Sequence, residues 1–372
     1  MSYNKWTAEE EHLLKLLIST NSYQEISEEF QRRVSKGIAG FSSERTAEAI
    51  RKKCDRDNIT SETFETYENN DPFRKTFDAL KKLQAKFSPD KEVRRIGLTD
   101  GEIKIVSLSD IHFPFSRDDL LEQVIEEHKD ADIFVINGDM LESYSASMFP
   151  KSKKVPMLIE YQCAFKFVKL ISELVPHVVL VNGNHDARAS RYMKDTGFPE
   201  DVAQVLRPDL LARIANGEEL DDTGMLVQKH EFANVHYEQS ESWYVKIGKT
   251  LFVHPWNRGG SAPGYTVKKV NDYFSRRYKD SDYDSVVVGH THKLYQGIIN
   301  SKLLIEQGCF ADVMDYAFSP KMQYNSDNGM NGYAIIYQDK DGNTDFNKSG
   351  FKFLGEVLPP KKSAIDLSTI AK

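Results

Sequence analysis

The 372-residue chain has only three cysteines, no long apolar run and no excess of positive charge. Cys54, Cys163 and Cys309 lie far apart and are odd in number. This excludes a disulfide framework and a C-x-x-C metal site, and it predicts a reducing compartment. No apolar stretch approaches the roughly 18 residues that a membrane span needs. The polar N-terminus lacks the apolar segment of a secretory signal, so we expect a cytoplasmic protein without membrane contact.

The charge balance argues against a protein that binds nucleic acid through its whole surface. The formal net charge is −7, from 49 Lys and Arg against 56 Asp and Glu. Any contact with a polyanion must therefore be local. A hydrophobic content of 40% is sufficient for a real core, and the length suits two or three domains.

Short polar motifs follow five short apolar runs in the middle of the chain. The runs are rich in β-branched residues and predict buried strands that end at Leu108, Ile136, Val181, Val253 and Val288. The motifs that follow them are Asp110-Ile-His112, Gly138-Asp139, Gly183-Asn184-His185-Asp186, His254 and Gly289-His290-Thr291-His292. Ligands of open α/β sheets bind outside the carboxyl ends of the strands. We therefore expect these side chains to converge at one edge.

The residue types in these motifs favour a divalent metal. Carboxylate and amide oxygens, together with imidazole nitrogens, are ligands for borderline and hard divalent cations. The mixed set suits Mn²⁺ or Fe²⁺ better than Mg²⁺ alone, and Zn²⁺ is a further alternative. A carboxylate is also the side chain best able to bridge two cations.

Taken in order from Asp110 to His292, the motifs resemble the signature of the calcineurin-like metallophosphoesterase superfamily: D-x-H, G-D, G-N-H-[DE], H and G-H-x-H. The resemblance implies an α/β fold of the α+β type, in which a two-sheet β-sandwich flanked by helices holds a dinuclear metal site. It implies that Asp139 bridges the two divalent ions. The other implied ligands are Asp110, His112 and His292 for one metal, and Asn184, His254 and His290 for the other.

The same resemblance implies a reaction in which a hydroxide activated by two metals attacks phosphorus. His185 is implied to face the leaving group and to protonate its oxygen as general acid, the alternative being a loop hydrogen bond. Asp186 is expected to orient His185 or to raise its pKa. Arg188 and Arg191 follow this loop and are expected to bind phosphate oxygens, with surface ion pairing as the alternative.

Residues 1–60 predict a small domain of three helices. Thr7 and Glu10 show the capping-box spacing at the first helix, apolar spacing marks a second from Ser22, and a third is expected over about Ser43–Arg56. The order resembles Myb/SANT-like or helix-turn-helix DNA-binding domains. The resemblance is carried by Trp6-Thr7-x-Glu9-Glu10, Ser22-Tyr23-x-Glu25-Ile26 and Arg45-Thr46-x-x-Ala49-Ile50-x-x-Lys53.

A basic third helix on a neutral scaffold is what a major-groove reader needs. The expected DNA contacts are Arg45, Arg51, Lys52, Lys53 and Arg56. The alternative is a helical module that binds another protein, with solvated charges on its surface.

The sequence thus predicts four regions. Residues 1–60 form the three-helix domain, 61–95 a helical linker with a helix over about Pro72–Lys86, 96–353 the metallophosphoesterase domain, and 354–372 a polar tail.

The combination predicts a metal-dependent phosphodiesterase that acts on DNA, a nuclease of a bacterial or phage-infected cell. The third motif, with Asp186 and Arg188, resembles bacterial and phage phosphoesterases grouped with DNA-repair exonucleases. The first alternative is an enzyme acting on a small nucleotide or a phosphoprotein, with the N-terminal domain used for docking. The second motif lacks the arginine of the protein-phosphatase pattern G-D-x-V-D-R-G, which argues against that class. The second alternative is a DNA-binding protein with an inactive metal site.

Overall fold

Two compact units make up the chain, Met1–Lys75 and Thr76–Lys372. The division falls inside the segment predicted as the linker. The computed structural model describes residues 6–18, 22–35, 45–57, 59, 72–86, 101–147, 155–199, 202, 205–238, 242–257, 259–312 and 329–355. Most of the predicted tail, residues 356–372, lies outside these ranges.

Among the described residues, three helices lie entirely within the first unit, at the predicted places. They are α1 (Ala8–Leu17), α2 (Tyr23–Ser35) and α3 (Ala47–Asp57). The capping box is confirmed, because Glu10 N–H donates to Thr7 Oγ1 at 3.1 Å and Thr7 N–H donates to Glu10 Oε2 at 3.0 Å. Leu14, Phe30 and Ile50 are buried in the core between the helices. Ser43, the expected start of the third helix, lies outside the described residues.

The second unit contains the remaining helices and all described strands. Its helices are α4 (Pro72–Lys86, which begins in the first unit), α5 (Asp118–Glu127), α6 (Met157–Leu174), α7 (Arg188–Asp195), α8 (Leu210–Ala215) and α9 (Tyr265–Phe274). Its strands are β1 (Ile103–Leu108), β2 (Ile133–Asn137), β3 (His177–Val181), β4 (Glu218–Leu220), β5 (Leu226–Lys229), β6 (Val235–His236), β7 (Tyr244–Ile247), β8 (Thr250–Val253), β9 (Ser285–Val288), β10 (Leu294–Ile299), β11 (Lys302–Gln307), β12 (Gly332–Gln338) and β13 (Gly350–Phe353).

The strands build two mixed sheets and a hairpin. Within the described residues, one sheet has the order β13-β12-β1-β2-β3-β6, and the other has the order β10-β11-β9-β8-β7. The pairs β1–β2, β2–β3, β8–β9 and β9–β11 are parallel. The metal-ligand motifs therefore follow parallel strands at the centre of each sheet. Strands β4 and β5 pair only with each other.

The two sheets pack face to face, and helices cover both outer faces. Ile105 and Val135 of the first sheet share a core with Phe252 and Val287 of the second. The opposite face of the first sheet packs against α5, α6 and α8, while the outer face of the second packs against α9. This is the predicted two-sheet sandwich flanked by helices, since each buried strand must cover both of its faces.

Three further expectations can be compared with the fold. Cys54, Cys163 and Cys309 are all free and buried. No described helix is both long enough and apolar enough to cross a bilayer. Helix α4 occupies the range predicted for it, and Leu80 and Leu83 pack in the core of the second unit.

Candidate metal centre

The carboxyl ends of five central strands deliver the predicted ligands to one edge of the sandwich. Asp110 and His112 follow β1, and Asp139 follows β2. Asn184 follows β3, His254 follows β8, and His290 and His292 follow β9. Within each sheet these strands are neighbours and run parallel, so their carboxyl ends meet, as expected from the rule for open α/β sheets.

One group of donors consists of Asp110, His112 and His292. His292 Nε2 lies 3.0 Å from Asp110 Oδ1 and 3.3 Å from His112 Nε2. His112 Nε2 lies 3.8 Å from Asp110 Oδ1. Two imidazole nitrogens and a carboxylate oxygen therefore point at a common centre, as the ligands of one cation do.

A second group consists of Asp139, His254 and His290. His254 Nε2 lies 3.2 Å from Asp139 Oδ2, and the rings of His254 and His290 are 5.4 Å apart. The same Asp139 oxygen lies 4.0 Å from His112 Nε2 of the first group. Asp139 thus stands between the two groups, where a bridging carboxylate is required.

Several inward-facing donor atoms have no hydrogen-bond partner among the described residues. They are Asp110 Oδ1, Asn184 Oδ1 and His254 Nε2, and all three are buried. An unsatisfied buried polar atom costs free energy on the order of 1–3 kcal/mol, so a cluster of them indicates a missing partner. A divalent cation supplies such a partner to oxygen and nitrogen lone pairs at once, so the residues fit the metals.

The outer ring nitrogens of two ligands are fixed by hydrogen bonds. His254 Nδ1 donates to the carbonyl of Asn137 at 2.7 Å, and His112 Nδ1 donates to Glu142 Oε2 at 2.8 Å. In the neutral imidazole that binds a metal, each bond selects the tautomer whose Nε2 lone pair faces the centre. Such outer contacts orient histidine ligands and increase their basicity.

The electrostatic environment of the site stabilises cationic groups. Burial lowers the pKa of His112, but hydrogen bonds to Asp110 and Glu142 outweigh it and raise the pKa to about 10. Burial also opposes protonation of His254, yet the charges of Asp139 and Asp110 raise its pKa to about 9. Burial raises the pKa of the Asp139 carboxyl, but the neighbouring imidazoles more than reverse the effect and lower it. The centre therefore carries negative charge that calls for cations.

The backbone at the ligands is held in the left-handed region. Positive φ angles occur at Asp110 (55°), His112 (54°), Asp139 (52°), His290 (70°) and His292 (54°). Such angles cost non-glycine residues about 1–3 kcal/mol each and persist where the surroundings impose them, typically at functional sites. Gly138 and Gly183 are required for packing, because a Cβ would overlap the His254 ring or the Asp139 carboxylate.

The pattern described as Calcineurin-like phosphoesterase matches residues 103–294, more than half of the 372-residue chain. The chain belongs to this family. Family membership implies a hydrolase that acts on phosphoester bonds and uses a dinuclear divalent metal site. Comparison with curated proteins gave no match.

Solved structures with similarity to the phosphoesterase are distant in sequence. A single mutant of Vps29 from Entamoeba histolytica is 14% identical with a TM-score of 0.32, and the match covers 68% of this chain and 100% of that one. An archaeal phosphodiesterase is also 14% identical with a TM-score of 0.32, covering 68% and 99%. A hypothetical protein from Pyrococcus horikoshii is 13% identical with a TM-score of 0.34, covering 68% and 88%. Scores at this level carry no functional assignment.

Sequence reasoning missed Glu142, which connects the metal site of the phosphoesterase with the predicted general acid. Its Oε2 accepts from His112 Nδ1 and from His185 Nδ1, both at 2.8 Å. Its Oε1 accepts from Arg188 Nη1 at 3.0 Å. The available signal was a carboxylate three residues after Asp139, in the same motif-bearing loop. Burial of Glu142, at 2% exposure, shows that it serves the site and not the surface.

The predicted role of Asp186 is corrected by its contacts. Asp186 Oδ1 accepts from Leu141 N–H at 2.8 Å, and Oδ2 accepts from Gly183 N–H at 2.9 Å. Asp186 therefore ties together the loops that carry Asp139 and Asn184, and Glu142 takes the orienting role at His185. Burial and the charge of Asp139 raise the pKa of Asp186 to about 7.

The structure also describes the predicted general acid His185 and the predicted phosphate contacts Arg188 and Arg191. His185 is buried, and its Nε2 lies 3.9 Å from Asp139 Oδ2. Arg188 Nη2 lies 2.8 Å from that Nε2, and since a guanidinium only donates, His185 accepts there and donates from Nδ1 to Glu142. Arg191 is exposed, with Cζ 5.5 Å from the Trp256 ring centroid.

Two of the five expected DNA contacts are corrected by burial. Arg45 is 6% exposed and pairs with the buried Glu10 at 2.5 Å. Lys53 is also 6% exposed and pairs with Glu11 at 2.5 Å and Asp57 at 2.6 Å. Both cations are buried in ion pairs that join α1 to α3 and to the residues just before it, so neither is available to a phosphate.

The other three expected contacts stay on the surface. Arg51, Lys52 and Arg56 are exposed, and each pairs with a carboxylate on α3 at 2.7–3.3 Å. Exposed pairs of this kind contribute little and exchange readily. These three residues remain predicted DNA contacts.

Proposed function

We propose that the phosphoesterase is a metal-dependent nuclease that hydrolyses phosphodiester bonds in DNA. The observation that carries the phosphoester chemistry is the convergence of five further carboxylate and imidazole side chains around the Asp139 carboxylate. Exposed cations on α3 support DNA as the substrate, because phosphate contacts supply most of the non-specific affinity for nucleic acid.

The two donor groups support the predicted assignment of residues to each metal. Asp110, His112 and His292 would hold one ion, His254 and His290 would hold the other, and Asp139 would serve both. Asn184, which follows β3, is assigned to the second ion by the family resemblance. When bound, two divalent ions polarise phosphoryl oxygens and provide an activated water near neutral pH.

His185 and Arg188 have different roles on the leaving-group side of the site. A substrate phosphate competes for the Arg188 guanidinium, which prefers anionic oxygens with two parallel hydrogen bonds. Withdrawal of Arg188 frees His185 Nε2, and Glu142 at Nδ1 stabilises the imidazolium that forms when Nε2 takes a proton. The protonated Nε2 then donates to the leaving oxygen, which is the general-acid role predicted for His185.

A nuclease panel tests the proposal directly. Metal-stripped protein is incubated with Mn²⁺, Mg²⁺ or EDTA, and with plasmid, labelled single strands and labelled duplexes. We expect cleavage that depends on metal, is best in Mn²⁺ and is abolished in Asp139→Ala, which loses the shared ligand. Full activity in EDTA, or wild-type rate and metal content in Asp139→Ala, would contradict it.

The second candidate is an enzyme for a small nucleotide or a phosphoprotein, with the N-terminal unit used for docking. The burial of Arg45 and Lys53 favours it, because these side chains leave fewer cations for DNA. Metal-dependent hydrolysis of a small diester or of nucleotides, together with an inert response to every DNA substrate, would establish this candidate instead.

A further inference from the structure

A cavity of about 610 Å³ lies in the second unit, on the segment that follows the ligand His254. Trp256 lines it and is two residues from that ligand. Trp243, Lys269 and Tyr273 line it as well. The volume is in the range of sites that enclose a small organic ligand.

The aromatic walls of this cavity are firmly held. The Trp243 ring packs against Tyr273 at 5.4 Å and against Phe274 at 5.6 Å between centroids. Tyr273 keeps 39% of its surface exposed although the Arg277 guanidinium carbon lies 3.5 Å from its ring centroid. The rings are therefore fixed in place and still accessible to a ligand.

Cationic side chains surround the aromatic walls. Lys269 lines the cavity from α9, and Arg276 and Arg277 follow the end of that helix with exposed side chains. On the other side, the Arg191 guanidinium carbon lies 5.5 Å from the Trp256 ring centroid. Arg191 belongs to α7, whose first residue Arg188 contacts His185. The cavity is thus connected to the metal centre in two ways, along the chain from Trp256 to His254 and along α7 from Arg191 to Arg188.

We propose that this cavity binds an unpaired nucleobase of single-stranded DNA beside the metal centre. The inference rests on the proposed nuclease function and specifies its substrate. The base lies against the rings of Trp256 and Tyr273, Lys269 and Arg191 contact the adjoining phosphates, and the next phosphodiester reaches the site near His254.

The chemistry of the walls selects this occupant. Sites for single-stranded nucleic acid combine aromatic rings that stack on bases with cations that follow the backbone. Duplex DNA keeps its bases inside the stack, so these aromatic walls cannot receive one without unpairing it. The Trp256 Nε1 has no hydrogen-bond acceptor among the described residues, which leaves this indole with an unused donor.

The test measures binding to the full-length, metal-free protein, so it does not depend on cleavage. A labelled oligothymidylate, the same length of abasic sugar-phosphate chain, and a hairpin duplex are titrated by fluorescence anisotropy, and thymidine monophosphate is used as competitor. We expect the oligothymidylate to bind on the order of 10-fold more tightly than the abasic chain, since stacking on a protein ring is worth roughly 1–3 kcal/mol per base.

Two variants probe the cavity, and two matched controls lie outside it. Tyr273→Ala and Lys269→Ala should each weaken binding of the oligothymidylate, and Tyr273→Ala should leave the abasic chain unaffected. Phe353→Ala removes an exposed aromatic ring from β13, and Lys279→Ala removes an exposed lysine; both should bind as the wild type does. Trp256→Phe keeps an aromatic ring at the site and should retain most of the affinity. This conservative variant tests the role of the ring without removing the side chain that packs there.

The outcomes separate this inference from the nuclease proposal. Equal binding of the abasic and base-bearing chains, or equal effects of Tyr273→Ala and Phe353→Ala, would overturn the base-binding cavity even if DNA is cleaved. Base-dependent binding without cleavage of any DNA would retain the cavity and remove the nuclease. Binding of thymidine monophosphate as tight as that of the oligomer would replace the single strand with a free nucleotide as occupant.

Discussion

Glu142 accepts a hydrogen bond from Nδ1 of His185 at 2.8 Å, and the same oxygen binds the metal-ligand candidate His112 at the same distance. One carboxylate therefore orients a ligand and the predicted general acid together. Neighbouring imidazoles hold the pKa of Glu142 below its usual range against the effect of burial, so it stays ionised. Changes at the metal side and at the leaving-group side of the site are coupled through this residue.

Glu142→Gln should impair both functions without unfolding the protein, because it keeps the shape and removes the charge. We expect weaker metal binding, by about 10–100-fold as for other partners of metal-bound histidines. We also expect a lower kcat, most on poor leaving groups. Metal titration and leaving-group series measure the two effects. Glu126→Gln, at an exposed position of α5, is the control and should change neither. If Glu142→Gln lowers metal affinity and leaves kcat unchanged, Glu142 acts through His112 and not through His185.

His185→Ala should separate proton transfer from metal binding. Metal content should remain near normal, because His185 lies outside both ligand groups assigned to the metals. The rate should fall by roughly 10²–10⁴-fold on substrates with poor leaving groups, the usual range for a general acid. The loss should be much smaller with p-nitrophenolate as leaving group, which needs little protonation. Equal losses on both substrate types would show that His185 positions substrate and does not protonate the leaving group.

The double variant R51A/K52A should weaken DNA binding through lost phosphate contacts. The slope of log K against log salt should flatten by up to about two units, since each contact with duplex DNA contributes about 0.9. Turnover of a small chromogenic diester should be unchanged. R32A/R33A on α2 is the matched control, because it also removes two adjacent cations that pair with one glutamate. Identical salt slopes for the two double variants would exclude α3 as a DNA contact.

Asp118→Asn should stabilise the protein at pH 8 more than at pH 5. Burial raises the pKa of Asp118 from 3.8 to about 7, so folding favours the protonated form. Its contribution to stability is full below pH 3.8, declines as pH rises and is lost above about pH 7. Urea unfolding of metal-free protein at several pH values measures the difference.

Asp119→Asn, on the same helix, should have the opposite effect on stability. Arg117 lowers the pKa of Asp119, so this carboxylate stabilises the fold above its unfolded pKa and loses that contribution in acid. The variant should therefore lose stability at pH 8. A benefit of Asp118→Asn that does not depend on pH would contradict the assignment.

The sequence by itself determined the strand ends and the donor set. Short β-branched runs before Asp110, Asp139 and His254 can bury both faces only as central strands, and the motif after each run is local in the chain. The sandwich and the convergence of the donors follow from these features, because parallel strands place their carboxyl ends together. The capping box at Thr7 is equally local, since both of its bonds span three residues.

Only the tertiary structure decided which partner each charged side chain has. Glu142 and Asp186 are both carboxylates in ligand loops, and the fold alone turns Glu142 toward His185 and Asp186 toward backbone N–H groups. Arg45 and Lys53 look like a basic surface until the helices pack. Their carboxylate partners Glu10 and Glu11 lie 35 and 42 residues away, a separation that local sequence patterns do not report. Burial and distant pairing arise only when the elements assemble, because they depend on which faces meet.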